Sequence, residues 1–172
     1  MTSRSHTQAH AQAHAKPDSL EARIRQLEDI EAIRLLKARY CAACDDDHNP
    51  DAVTALFIAD GLWEGRNIGV HARGHAAIHA YIGGVRASGR IRTSAHMVSN
   101  PIIVPDGDRA TGHWRLLMLY TGNTQGGGTE HHRIIGYYDD TYVRVDGSWR
   151  FETLRVTVEA SGPYSAEAIP RA

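Results

Sequence analysis

The sequence predicts an α+β domain in which N-terminal helices pack on a strongly curved, mainly antiparallel sheet. Between about residues 18 and 90, apart from one hairpin, apolar residues recur every three or four positions, which is typical of helices. From Arg90 onward they recur at every second position, between clear turn signals, which is typical of strands. Helices followed by long strands form one domain only if the helices cover the apolar face of the sheet.

The first helix is predicted from Asp18, a suitable N-cap residue, to about Cys44. Its apolar residues are spaced by three or four positions and form one stripe, which we expect to face the core: Leu20, Ile24, Leu27, Ile30, Ile33, Leu36, Tyr40 and Cys44.

Asn49-Pro50 is expected to break this helix, and Asp51 to begin a short second one that runs through AVTALFIAD and ends at Asp60-Gly61. Its inward residues would be Val53, Leu56 and Phe57. A hairpin from LWEG to GVHARG follows. The third predicted helix, HAAIHAYIGGVRA, would bury Ile78, Tyr81, Ile82 and Val85 on one side.

Four long strands are predicted after Arg90, in IRTSAHMVSNPIIV, RATGHWRLLMLYTG, HRIIGYYDDTYVRV and WRFETLRVTVEA. Pro105-Asp106-Gly107-Asp108 and Asp146-Gly147 predict tight turns, whereas GNTQGGGTE predicts a looser, glycine-rich link. Successive strands joined by short turns pair antiparallel.

The 172 residues are enough for one domain with a substantial core. Residues 1–17 are small and polar, and we interpret them as a disordered tail in which His6, His10 and His14 belong to a solvated segment rather than a metal site. The domain is predicted to span residues 18–162. A C-terminal tail would follow at 163–172.

Charge and hydropathy exclude several classes of partner. With 19 Lys and Arg against 20 Asp and Glu, the formal net charge is −1, so no basic field exists to attract nucleic acid. No apolar run approaches the roughly 20 residues that span a bilayer, and the polar N-terminus does not resemble a secretory signal. We therefore expect no membrane association and a cytoplasmic location.

The segment YCAACDDDHNPD contains two cysteines, three aspartates and a histidine. A redox CxxC usually begins a helix, where the dipole lowers the thiol pKa, but Cys41 and Cys44 fall near a helix C-terminus. We interpret them as buried small side chains. The aspartates and His48 lack the ligand order of a calcium loop, and consecutive residues at a helix end point in different directions, so we predict no metal and no cofactor.

The order of these elements resembles the SnoaL-like, nuclear transport factor 2-like superfamily, which includes scytalone dehydratase, bile-acid dehydratase, ketosteroid isomerase and limonene epoxide hydrolase. The resemblance covers about residues 20–160 and rests on LEDIEAIRLLKARYCAACD, DAVTALFIADGLWEG, HARGHAAIHAYI, SAHMVSNPIIVPDGDRATGHW and GYYDDTYVRVDGSWRFETLRV. It implies a cone-shaped α+β barrel with an apolar pocket between helices and sheet. It also implies a homodimer or homotrimer that associates through the sheet.

In dehydratase-like members of that superfamily, a carboxylate at the end of the first helix works with a histidine on the first long strand. The matching histidine is His96, and the matching carboxylate is Asp45. Counting back from Phe57 instead selects Asp46, because the DDDHNP connection is one residue longer than the pattern. Asp45 is the first candidate and Asp46 the second, although a continued helix would place Asp47 closest to the face of Tyr40. A solvated cluster of charges is the alternative for all three.

The resemblance also implies residues that contact a substrate. Tyr40 and Tyr138 match positions that often line the pocket, where a phenol can hydrogen-bond a carbonyl oxygen. Trp63 and Trp114 would supply aromatic walls, and Trp149 would belong to the core. His113 is expected outside the pocket, while His131 and His132, which follow the glycine-rich link, are expected near its mouth.

These residues predict a cofactor-independent lyase (a dehydratase) or isomerase that acts on a small hydrophobic polyketide-, steroid- or terpenoid-like molecule. The alternative is a non-catalytic ligand-binding or oligomerisation domain of the same fold, because one fold serves many activities. Epoxide hydrolysis would need an Asp-Arg-Asp array, for which only Arg155 with Asp139 or Asp140 is available.

Overall fold

The computed structural model describes residues 19–124 and 127–164. The predicted tail at 1–17, with its three histidines, and residues 165–172 lie outside this range. Residues Pro163 and Tyr164, which we assigned to a C-terminal tail, continue the sheet: the last strand runs to Pro163, and the Tyr164 N–H donates to the His131 carbonyl at 2.9 Å.

Three helices and six strands make up the described part of the chain. In chain order they are α1 (Leu20–Asp45), α2 (Pro50–Thr54), β1 (Phe57–Gly65), β2 (Val70–Arg73), α3 (His75–Ala87), β3 (Ile91–Asp106), β4 (Arg109–Asn123), β5 (Thr129–Val145) and β6 (Ser148–Pro163).

The strands form one sheet in the order β2-β1-β6-β5-β4-β3, and only the β1–β6 pair is parallel. Helices cover one face of it, so the predicted α+β class and mainly antiparallel sheet are confirmed. The sheet is open, because the edge strands β2 and β3 do not pair with each other. The domain therefore has the predicted cone-shaped fold, but its sheet does not close into a barrel.

Helix α1 begins at the N-cap Ser19, whose side chain accepts a hydrogen bond from the Ala22 N–H at 3.1 Å. Its C-terminal half is buried as predicted, including Ile33, Leu36, Tyr40 and Cys44. The first half of the predicted stripe is wrong, because Leu20, Ile24 and Leu27 are between 47% and 66% exposed. Most of the surface of those side chains is therefore left uncovered by the described chain.

Helix α2 ends at Thr54, six residues before the predicted boundary at Asp60. The residues from Phe57 onward form strand β1 instead, which pairs in parallel with β6. The Phe151 N–H donates to the Leu56 carbonyl at 2.9 Å, so backbone pairing with β6 begins directly after the helix. The local sequence from Phe57 onward is compatible with a helix, but pairing with β6 makes it a strand.

The predicted hairpin, the third helix and the four long strands are confirmed. Helix α3 buries Ile78 and Ile82 against the core, as its spacing predicts. Strands β5 and β6 approach most closely at Gly136, where a Cβ atom would lie 2.2 Å from the Thr157 carbonyl oxygen. Among the helices described, none has both the length and the apolarity that crossing a membrane would require.

Candidate functional site

The end of α1 meets strand β3 at a carboxylate and an imidazole. Asp45 is the last residue of α1, and its Oδ1 accepts from the His96 ring Nδ1 at 2.7 Å. The His96 backbone N–H donates to Oδ2 at 2.9 Å, and the Ser94 hydroxyl donates to Oδ1 at 2.8 Å. The structure therefore brings together the predicted residues Asp45 and His96, and it adds Ser94, which we had not singled out.

The three consecutive aspartates diverge after the helix ends. Asp46 is an exposed C-cap residue that accepts from the Asn49 side chain at 3.0 Å, so it does not face His96 and the alternative assignment to Asp46 is corrected. Asp47 pairs with Arg86 at 2.8 Å. Asp47 and His48 both have φ of 50°, a left-handed turn that separates the three carboxylates.

Hydrogen bonding fixes which nitrogen of His96 is basic. An ionised carboxylate only accepts hydrogen bonds, so Nδ1 carries the proton that is shared with Asp45, and Nε2 retains its lone pair. Burial raises the pKa of Asp45, but the hydrogen bonds from the His96 ring, the His96 backbone and Ser94 outweigh burial and leave that pKa lowered. Asp45 is therefore ionised at neutral pH.

His96 lines a cavity of about 800 Å³ between the helices and the sheet. This volume suits a small organic molecule. Apolar side chains from α3 and from four strands form much of the wall: Ile82, Val85, Ile91, Leu116, Met118, Ile134 and Val156. At the end of the cavity where α3 leads into β3, the wall is polar and contains Ser88, Arg90, Asn123, Thr124, Glu130 and His132.

Three of the four predicted substrate-binding residues line this cavity: Tyr40, Trp63 and Tyr138. The Trp63 indole N–H donates to the Tyr40 hydroxyl at 2.9 Å, and the rings of Tyr40 and Tyr138 meet edge to face at 6.2 Å. Burial raises the pKa of both phenols well above the ordinary value. Both hydroxyls are therefore neutral and able to donate a hydrogen bond.

The fourth, Trp114, does not line the cavity, and the prediction that it forms a wall is corrected. It is buried deeper in the core, where its indole N–H donates to the Tyr142 hydroxyl at 3.0 Å. Trp149 is buried as predicted and donates to Asp29 at 3.1 Å. His113 also lies outside the cavity, as predicted, with its ring 2.8 Å from Asp139.

Two further histidines line the cavity. His132 stacks on Tyr120 with ring centroids 4.9 Å apart and pairs with Glu130, whereas His131 is not part of the wall. His48 is 8% exposed, and its ring meets the His96 ring at 6.1 Å. From the sequence, we considered His48 only as a metal ligand. Its position three residues after Asp45 was the one sequence feature that could have indicated a role in this site.

A buried ion pair lies beneath the aromatic wall. The Lys37 ammonium is 2.8 Å from Asp140 Oδ2 and 3.3 Å from the centre of the Tyr138 ring, and both charged side chains are fully buried. Sequence reasoning missed this pair, since its members are 103 positions apart. Asp140 thus pairs with Lys37, and Arg155 pairs with Glu64, so the Asp-Arg-Asp array of an epoxide hydrolase does not form here.

Cys41 and Cys44 are unbonded thiols and are buried, as predicted. Burial raises the pKa of Cys41 to about 11 and that of Cys44 to about 12. A thiol with such a pKa is protonated at neutral pH and is a poor nucleophile. These residues therefore act as small apolar side chains, and Cys44 lines the cavity beside His48.

Several solved structures share this architecture. A candidate scytalone dehydratase from Novosphingobium aromaticivorans superposes with a TM-score of 0.71 at 25% identity, covering 85% of this chain and 96% of that one. A protein of unknown function from Mycobacterium tuberculosis gives 0.66 at 27% identity, covering 78% of each chain. No protein with a curated description matches the sequence significantly.

The hexachlorocyclohexane dehydrochlorinase LinA-type3 from Novosphingobium barchaimii has a TM-score of 0.69 at 21% identity, covering 85% of this chain and 97% of that one. At that identity the likeness concerns the fold alone. The sequence profile of the SnoaL-like domain matches residues 25–155, which include most of α1 and the whole of β3, β4 and β5. This chain therefore belongs to the SnoaL-like domain family.

Proposed function

We propose that this protein is a cofactor-independent lyase, or an isomerase, that removes a proton from carbon in a small hydrophobic molecule. The observation that carries the proposal is the pairing of Asp45 with His96 Nδ1 at 2.7 Å beside a largely apolar cavity. A base whose pKa is near neutrality can remove a proton from carbon next to a carbonyl or leaving group. Imidazole is in general such a base.

In the proposed reaction, His96 Nε2 accepts the proton from carbon, and Asp45 stabilises the imidazolium that forms. The electron pair of the broken C–H bond moves into the substrate. In a dehydration it forms a double bond as a hydroxyl leaves, and the proton on His96 returns to that hydroxyl to give water. In an isomerisation the same proton returns to a different carbon.

Neutral phenols near the imidazole would assist this chemistry. Tyr138 and Tyr40 are buried hydroxyls in the cavity wall, and a buried donor stabilises negative charge on a substrate oxygen more strongly than water does. The aromatic rings of Tyr40, Trp63 and Tyr138 favour a flat or polycyclic substrate. A polyketide-, steroid- or terpenoid-like molecule has these properties.

The comparisons support an elimination in this fold. One neighbour is described as a candidate scytalone dehydratase, and another is named a dehydrochlorinase. By analogy, we propose that this chain also catalyses the loss of a small leaving group from an apolar substrate.

The experiment has two steps. A thermal-shift screen of hydrophobic hydroxy-ketones, polyketides and steroids identifies ligands, since a compound that binds only the folded state raises its stability. Hits are then incubated with wild-type protein and with His96→Ala, and products are followed by mass spectrometry. We expect turnover by the wild type and loss of turnover in the variant at unchanged melting temperature.

Equal turnover by His96→Ala would exclude His96 as the base. Ligands that bind tightly but are never converted would instead favour the alternative, a non-catalytic binding domain of the same fold. Ser99→Ala, on the exposed opposite face of β3, is a suitable control because its side chain alternates away from His96.

A further inference from the structure

A second imidazole, that of His48, lies beside the proposed base. His48 lines the cavity and is 8% exposed, and its ring lies at 70° to the His96 ring with centroids 6.1 Å apart. Across residues 19–124 and 127–164, no group hydrogen-bonds its ring. A buried polar ring of this kind normally finds a partner, so its N–H is available to a ligand.

The neighbouring carboxylates are engaged elsewhere. Asp45 is held by His96 and Ser94, and Asp47 pairs with Arg86 at 2.8 Å. His48 is therefore close to two acids without being hydrogen-bonded to either. Burial, followed by the charge of nearby His96, lowers the pKa of His48, while Asp45 and Asp47 oppose the shift. The imidazole is thus neutral at neutral pH, and protonation of His96 keeps it so.

The backbone holds this ring in position. Its φ of 50° is a left-handed conformation, and the His48 N–H donates to the Cys44 carbonyl at 3.0 Å as the helix ends. The next residue, Asn49, donates its N–H to the Ala43 carbonyl at 2.9 Å and caps α2. The backbone that carries the ring is therefore held by hydrogen bonds between two helices.

We infer that His48 is a second catalytic residue, whose neutral imidazole donates a hydrogen bond to the substrate oxygen on which negative charge develops. This inference rests on the proposed function. His96 takes the proton from carbon, the C–H electron pair shifts toward that oxygen, and the His48 N–H stabilises the resulting enolate. No atom is transferred to or from His48. A neutral imidazole is well suited to this task because it polarises a carbonyl without competing for the proton.

The test compares His48→Gln with His48→Leu. The two side chains are similar in size and carry the same backbone strain at this left-handed position, so they differ mainly in the amide N–H donor of Gln. His79→Leu is the matched control, since the His79 imidazole pairs with Asp51 on the outside of α3 and does not line the cavity. The melting temperature of each variant verifies that it is folded.

The probe is 2-naphthol, a flat apolar molecule whose hydroxyl oxygen imitates an enol, and its dissociation constant is measured by fluorescence. We expect His48→Leu to weaken binding about 10-fold and His48→Gln to weaken it no more than about threefold, because the hydrogen bond to the naphthol oxygen is lost only in the first. Equal dissociation constants for the two variants would overturn the inference.

Turnover of a substrate from the screen separates this inference from the proposed function. If His96→Ala is inactive while the Leu and Gln variants of His48 have equal kcat, the proposed base stands and His48 is only part of the wall. If His96→Ala is fully active, the proposed function itself fails. A kcat for His48→Leu about 100-fold below that of His48→Gln supports both, since this is the usual cost of removing one oxyanion donor.

Discussion

Asp45 and His96 are joined twice across 51 positions of sequence, through the ring Nδ1 at 2.7 Å and through the backbone N–H at 2.9 Å. The second bond fixes the carboxylate relative to strand β3 even when the ring rotates. A carboxylate at a helix C-terminus is electrostatically unfavourable, because the dipole there is negative. These hydrogen bonds compensate for that unfavourable position.

Asp45→Asn should reduce turnover while the protein stays folded. The amide cannot stabilise an imidazolium as a carboxylate does, and its NH₂ group favours the wrong tautomer of His96. We expect a loss in kcat of roughly 10²–10⁴-fold, as for other acid–base groups. Steady-state kinetics on a substrate from the screen would measure it.

Asp46→Asn is the control for this change. Its carboxylate accepts from Asn49 and is exposed, so kcat should remain within about twofold of the wild type. Equal losses in the two variants would show that the charge of the whole aspartate cluster matters rather than the contact with His96.

The stability that Asp45 contributes should depend on pH with a defined sign. Its pKa is raised by burial but is lowered on balance by bonds from His96 and Ser94, whereas an unfolded aspartate titrates near about 3.9. A lowered pKa in the folded state contributes stability that is complete above the unfolded value and is lost as pH falls through the folded value.

Urea unfolding of the wild type and of Asp45→Asn at several pH values would measure this contribution. The difference in free energy of unfolding should be constant above about pH 5 and should shrink between about pH 5 and pH 3. A difference that does not change with pH in this interval would mean that the Asp45 pKa is the same in both states.

The two thiols should be unreactive in the folded protein. Burial raises the pKa of Cys41 to about 11 and that of Cys44 to about 12, so almost no thiolate exists at pH 8. With a thiol-reactive disulfide reagent we expect no rapid release of chromophore from native protein and release from both cysteines in denaturant. Rapid reaction of the native protein would indicate that the cavity side of Cys44 is open to reagents.

Periodicity predicted most of the fold because helices and strands of this domain bury one face each. The four long strands and α3 follow their apolar spacing closely, and so does the buried half of α1. The pattern failed where tertiary contacts decide the outcome. Phe57–Asp60 could form a helical turn, but pairing with β6 makes it a strand. The exposure of Leu20, Ile24 and Leu27 depends on what packs against the start of α1, which spacing alone does not determine.

The sequence predicted the site less completely than it predicted the fold. Resemblance identified His96 and left two aspartates open, because the turn geometry after α1 determines which carboxylate points to β3. Trp114 and Tyr138 are paired across β4 and β5, yet only Tyr138 lines the cavity, and the Trp114 indole bonds to Tyr142 in the core instead. Lys37 and Asp140 lie 103 positions apart and gave no local signal at all.

The outer face of the sheet should mediate association. Met97 and Leu117 are directly opposite each other on β3 and β4 and are 42% and 39% exposed, and Ile102 farther along β3 is 51% exposed. Together with the family resemblance, this apolar surface leads us to expect a homodimer or homotrimer. Light scattering after size exclusion should give a smaller mass for Leu117→Glu than for the wild type.

Leu35→Glu is the control, because Leu35 is also about half exposed but lies on α1, away from the sheet surface. It should leave the mass unchanged. A monomeric wild type, or dissociation caused by Leu35→Glu alone, would contradict association through the sheet.

Lys37→Met should be the most destabilising of these substitutions. Burial lowers the pKa of Lys37 and raises that of Asp140, and each ion is tolerated only because the other is 2.8 Å away. Without Lys37, Asp140 remains as an uncompensated buried charge, with one carboxylate oxygen that no group in the described part of the chain hydrogen-bonds. We expect a loss of about 3–5 kcal/mol in the free energy of unfolding, measured with urea.

Two comparisons show whether the effect comes from the buried pair. Arg34→Met removes an exposed cation that is 3.8 Å from Glu31, and it should cost less than about 0.5 kcal/mol. Adding Asp140→Leu to Lys37→Met removes the unpaired buried carboxylate. The double variant should therefore be more stable than Lys37→Met alone, because replacing both members of a buried ion pair by apolar residues often leaves stability unchanged. If the double variant is the less stable of the two, the penalty arises from lost packing around Tyr138 rather than from an unpaired carboxylate.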